Sequence, residues 1–86
     1  MGELSKLPNI GEKLEEQLNK IGIFTKADLK SIGAKKAWLD IQKIDESACI
    51  HRLLALEGAI KGVKKSLLPN DVKEELKEFY HSHKIN

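Results

Sequence analysis

The sequence predicts an all-α fold, a compact bundle of five to six short helices, and three observations carry that expectation. Apolar residues recur at steps of three and four along most of the chain. No stretch alternates apolar and polar residues long enough to suggest a strand. Turn chemistry built on Gly, Pro, Thr and Asn interrupts the pattern at short intervals.

Each element has its own signal. Residues 3–7 fit one helical turn leading into Pro8. Leu14, Leu18 and Ile21 then form one stripe, with Glu12, Glu15 and Glu16 near its start and Lys20 near its end, as the helix dipole favours. Gly22 supplies the left-handed residue at its close. Thr25 followed by Asp28 has the spacing of a capping box, and Ala27, Leu29 and Ile32 anchor the helix it opens, up to Gly33. Ala34, Ala37, Trp38 and Ile41 mark a fourth helix, with Ile44 beyond it. Asp45 is the expected N-cap of a fifth and longest helix, with the stripe Cys49, Leu53, Leu56, Ile60 and Val63. Gly58 and Gly62, four apart, would let a neighbouring helix pass closely. A break at residues 67–71, capped by Asn70 or Asp71, precedes a last helix that turns Val72, Leu76, Phe79 and Tyr80 inward. The tail from His81 to Asn86 is expected to fray.

With 86 residues the chain makes one domain, its core spanning about 4–80. Hydrophobic residues at 41% and charged ones at 33% are ordinary for a soluble globular protein. No signal peptide and no apolar run near the roughly 20 residues of a membrane span can be read, so a cytoplasmic protein without membrane contact is expected. The lone Cys49 excludes an internal disulfide and a Cys-based zinc site. The net charge of +2 is unevenly spread. Residues 1–33 hold five cations against five acids, 34–69 seven against four, and 70–86 three against four. No segment is as basic as a dedicated electrostatic DNA binder.

The chemistry-bearing stretch is Leu7-Pro8-Asn9-Ile10-Gly11, the turn of a helix-hairpin-helix. In that arrangement the N–H groups of residues 11–13 face outward at a helix start, where a phosphate binds, and Lys13 adds a cation. Ile10 points inward as an anchor. Asn9 stands where DNA-binding hairpins commonly place Gly, and Glu12, Glu15 and Glu16 repel phosphate, so the same turn also reads as a purely fold-building device. Lys61, Lys64 and Lys65 at the end of the long helix form a second candidate patch on one broad face. The candidate nucleic-acid contacts are therefore Asn9, Ile10, Gly11, Lys13, Lys61, Lys64 and Lys65. Trp38 on an apolar stripe is a core residue. His51, His81 and His83 share no face and imply no metal. No nucleophile triad, carboxylate pair or nucleotide loop emerges, so neither enzymatic activity nor a cofactor is expected.

These residues resemble a known family. Leu7-Pro8-Asn9-Ile10-Gly11, Gly22-Ile23-Phe24-Thr25 with Asp28-Leu29, Ile32-Gly33 and above all the run from Leu54 to Val63 look like the C-terminal domain of TfoX/Sxy proteins. The likeness runs from about residue 4 to residue 80, and its most specific part is Leu56-Glu57-Gly58-Ala59-Ile60 with Gly62. It makes Asn9 the form that this family uses. It implies a helix-hairpin-helix-like, SAM-domain-like fold and a bacterial regulator of competence for DNA uptake. Such regulators pair this domain with an N-terminal one that is not found here, because Met1 lies just before the hairpin; the chain is then a stand-alone protein or a fragment. Two functions stay open: a transcription-regulating module contacting DNA through the hairpin and the lysines, or a protein-interaction module docking onto a transcription regulator or RNA polymerase.

Overall fold

The structure, a computed structural model, describes residues 3–84. A 3-10 turn over Leu4–Lys6 is followed by α1 (Glu12–Lys20), α2 (Lys26–Ile32), α3 (Ala34–Ile44) and α4 (Ile50–Lys61). A second 3-10 turn over Lys65–Leu67 leads into α5 (Asn70–His83). The described residues contain no strand, and the all-α expectation holds.

Local chemistry sets most boundaries where the sequence places them. Gly22, at φ 91°, reverses the chain after α1, and the Ile23 N–H returns to the Leu18 carbonyl at 2.9 Å. Thr25 and Asp28 form the capping box: the Asp28 N–H donates to Thr25 Oγ1 at 3.0 Å, and the Thr25 N–H donates to Asp28 Oδ2 at 3.2 Å.

α4 is the central element, packed between α3 and α5 and touching α2 and the second 3-10 turn. Its Leu53, Leu56 and Ala59 meet Leu18, Ile23, Leu29, Trp38 and Ile41 in one core. Trp38 is fully buried, and Phe79 and Tyr80 of α5 present themselves edge-on to its ring at centroid distances of 6.1 and 5.5 Å.

Four boundaries differ from the sequence reading. Asp45 ends α3 instead of opening α4; its carboxylate accepts from the Ser47 N–H and hydroxyl, from Gln17 and from Arg52, and α4 begins only after Cys49. α4 stops at Lys61, because Gly62 takes the left-handed conformation, so Val63 lies outside its stripe and α5, with 14 residues, is the longest helix. Pro69, not Asn70 or Asp71, holds the N-cap position of α5. Lastly, α5 continues through His83, whose carbonyl accepts from Gln42 Nε2 at 2.9 Å and whose ring stacks on Phe79 at 4.1 Å, so the expected fraying does not start at His81. Residues 85 and 86 lie outside the described residues.

Candidate interaction site at the hairpin turn

The hairpin turn is held by Asn9. Its φ of 70° is the only positive one at a non-glycine residue among the described residues, and Asn tolerates that region better than other side chains. The amide then reaches across the domain. Nδ2 donates to the carbonyls of Val63 at 3.0 Å and Ala55 at 3.4 Å, and Oδ1 accepts from the Lys65 N–H at 3.0 Å. One side chain thus closes the end of α4 and fastens the segment after it to the hairpin. The closeness depends on Gly58, where a β-carbon would stand 2.5 Å from Asn9 Nδ2 and 2.7 Å from the Val63 oxygen. What approaches Gly58 is therefore the Asn9 amide and a loop carbonyl, not a passing helix.

The clasp brings together two stretches that the sequence reading singled out separately. Pro8 and Asn9 share an open groove of about 700 Å³ with Val63, Lys64, Lys65 and Leu67. Lys64 and Lys65 do not continue the α4 face, as expected from helical spacing; they follow the helix in the turn beyond Gly62. Neither makes an ion pair among the described residues.

The other candidates lie elsewhere. Ile10 is buried in the core, 5% exposed. Gly11 is exposed at the N-cap of α1 with extended backbone and no side-chain cap, so no N-cap side chain satisfies the N–H groups of the first helical turn. Lys13 is exposed, but it lines a separate depression with Glu12, Glu15, Glu16 and Asn19. Glu15 is itself buried and accepts from the Ser5 N–H at 3.2 Å, fixing the first 3-10 turn to α1. Lys61 pairs with Glu57 at 3.3 Å.

Sequence reasoning missed Val63 and Leu67 as groove residues. Val63 was assigned to a helical stripe, and an isolated Leu beside Leu68-Pro69 carries no periodic signal. A signal for the clasp did exist: Gly58 sits inside α4, where glycine costs about 1 kcal/mol relative to alanine and so marks a close approach.

No helix among the described residues is long and apolar enough to cross a membrane. Comparison with known proteins places the whole arrangement. Residues 1–80 match the family described as the TfoX C-terminal domain. Over 79 residues the chain is 35% identical to Protein Sxy of Escherichia coli (strain K12), covering 92% of this chain and 38% of that protein. The chain thus spans well under half of that relative. Two crystal structures of proteins from Listeria monocytogenes, described as uncharacterized and of unknown function, superpose closely. The triclinic form has a TM-score of 0.92 at 47% identity, covering 94% of this chain and 92% of that one; the tetragonal form has 0.90 at 48%, covering 93% and 98%. With the Asn9 hairpin and the Gly58-containing helix on the residues that carried the resemblance, the chain belongs to the TfoX C-terminal domain family.

Proposed function

We propose that the domain is a non-enzymatic, cytoplasmic regulatory module serving control of competence and DNA transformation, and that it acts by docking onto a protein of the transcription apparatus, a transcription regulator or RNA polymerase. Membership of the TfoX C-terminal domain family supports the regulatory role. The observation that carries the docking is the Asn9 clasp. The amide is spent on Ala55, Val63 and Lys65, so the hairpin offers a partner a fixed wall, and that wall lines an apolar groove with two lysines that form no ion pair among the described residues.

The reading is tested by affinity purification from bacterial lysate with the parent protein beside the Lys64→Glu, Lys65→Glu double variant. One stoichiometric transcription protein, lost with the variant, is the expected result. Recovery that is indifferent to the substitutions overturns it.

A second reading, contact with nucleic-acid backbone, draws on the uncapped first turn of α1 and the same lysines. In that case Gly11, Lys13, Lys64 and Lys65 make the contacts, while Asn9 and Ile10 shape the turn and Lys61 is first released from Glu57. Labelled duplex DNA at about 50 mM salt, where phosphate contacts are strongest, decides between the two: binding that weakens steeply with salt favours this second reading.

A further inference from the structure

Leu67 is 68% exposed, the only exposed leucine among the described residues. It is not a loose side chain. Its N–H donates to the Lys64 carbonyl at 2.8 Å, the Leu68 N–H donates to Lys65 at 3.3 Å, and Lys73 Nζ donates to the Ser66 carbonyl at 2.9 Å. On the other side the Asn9 clasp holds the Lys65 N–H. An exposed leucine on a backbone tied from both directions loses little freedom on binding, as preorganised contact surfaces do.

Charge says what such a surface prefers. Of four depressions on the described surface, the groove formed by Pro8, Val63 and Leu67 is lined by no carboxylate, whereas the other three contain Glu16, Glu74 and Glu75 among their linings. Lys64 and Lys65 stand in it without ion pairs among the described residues. An apolar wall beside two uncompensated cations is complementary to an apolar side chain beside carboxylates.

We infer that this groove binds an acidic peptide segment of a partner protein, with one apolar side chain seated against Pro8, Val63 and Leu67 and a flanking carboxylate on Lys64 and Lys65. The assignment rests on the docking reading above and gives its partner a chemistry. Nucleic-acid backbone fits the groove less well. Two cations release few counterions, giving a salt slope of only about −2, and phosphate gains nothing from the apolar wall. α1 adds the exposed Glu12, in its first turn, and the exposed Glu16 after it, close to the hairpin.

The test uses fluorescein-labelled peptides of about twelve residues, each carrying one Leu or Phe among several Asp and Glu, with the matching Asn and Gln peptides as controls. Anisotropy measures affinity, and amide shifts in nitrogen-15 NMR spectra locate the contact. The expected result is shifts centred on Asn9 and Val63 to Leu67, with affinity about tenfold weaker for Leu67→Ser and at least tenfold weaker for the Lys64→Glu, Lys65→Glu pair, about 1.4 kcal/mol per tenfold step. These side chains contribute nothing to the core, and unchanged circular dichroism checks that the variants fold. The inference falls if the neutral peptides bind as well as the acidic ones, if the shifts map to another face, if Leu67→Ser changes affinity less than about twofold, or if no acidic peptide binds. Labelled duplex DNA separates the two levels. If DNA shifts the same amides with a steep salt dependence, the docking reading itself fails; if neither DNA nor acidic peptide does, only the acidic-anchor chemistry fails.

Discussion

The Asn9 amide occupies the space that a β-carbon on Gly58 would need, at 2.5 Å from its ideal position. The two residues are far apart in sequence, one in the hairpin turn and the other in the last half of α4. Their fit joins the first and last thirds of the domain, because the same amide holds Val63 and Lys65. The hairpin is thereby a structural lock as well as one wall of the proposed docking groove.

Gly58→Ala should destabilise the domain by about 1–3 kcal/mol, the usual range for forcing atoms into a close-packed site. Urea unfolding followed by circular dichroism measures this. In an Asn9→Gly background the cost should shrink by about 1 kcal/mol, since the nearest atom is gone while the Val63 oxygen remains 2.7 Å away. Strict additivity of the two substitutions contradicts the clasp.

Asn9→Ala should cost about 2–4 kcal/mol, because it strips the Val63 carbonyl and the Lys65 N–H of their partner and puts alanine, which tolerates positive φ less well than asparagine, in a left-handed conformation. Asn9→Gly removes the same hydrogen bonds without the backbone strain and should be milder by about 1 kcal/mol. Equal losses for the two variants show that backbone conformation plays no part.

Acid should weaken the fold through Asp45. Hydrogen bonds from the Ser47 hydroxyl, Gln17, the Ser47 N–H and Arg52 hold its carboxyl far below the ordinary 3.8, with the Ser47 hydroxyl the largest cause. A depressed folded pKa means that the unfolded chain takes up the proton first. The stabilising contribution is complete above about pH 5 and drains away as pH falls below about 4. Asp45→Asn should lower the urea midpoint at pH 7 and flatten its dependence on pH across that acidic window. A variant with the parent's slope below pH 4 refutes the assignment.

Trp38 fills the junction of α3 and α5, and its Nε1 is buried with no hydrogen-bond partner among the described residues. Trp38→Ala should cost about 3–5 kcal/mol, a large share of what a domain of this size possesses. Trp38→Phe loses volume but no hydrogen bond, and should cost less than half as much in the same denaturation experiment. A larger penalty for Phe implies a partner for the indole N–H.

Much of the fold was legible because it depends on neighbours along the chain. Leu14 and Leu18 define a face by spacing alone, and Thr25 with Asp28 forms a box within a single turn. Asp45 was misplaced for the complementary reason. Its residue type suits a helix start, but its carboxylate finds Gln17 on α1 and Arg52 on α4, partners visible only after packing. His83 likewise is held in α5 by Gln42 of α3, which no local rule predicts. In the candidate site, Lys64 and Lys65 were legible as cations and Asn9 as an unusual turn residue, while their meeting was not.

The sequence by itself determined an all-α domain, its hairpin, the Thr25–Asp28 capping box and its family, since periodicity, glycine positions and a capping pair act over one or two turns of helix. Only the tertiary structure decided that Asn9 faces inward onto Gly58, that Lys13 lines a different depression from Lys64 and Lys65 while Lys61 pairs with Glu57, and that Leu67 is left outside on a fixed backbone. Those outcomes depend on which surfaces meet when five helices close on one core, and that is settled by volume and hydrogen-bond satisfaction across the whole domain.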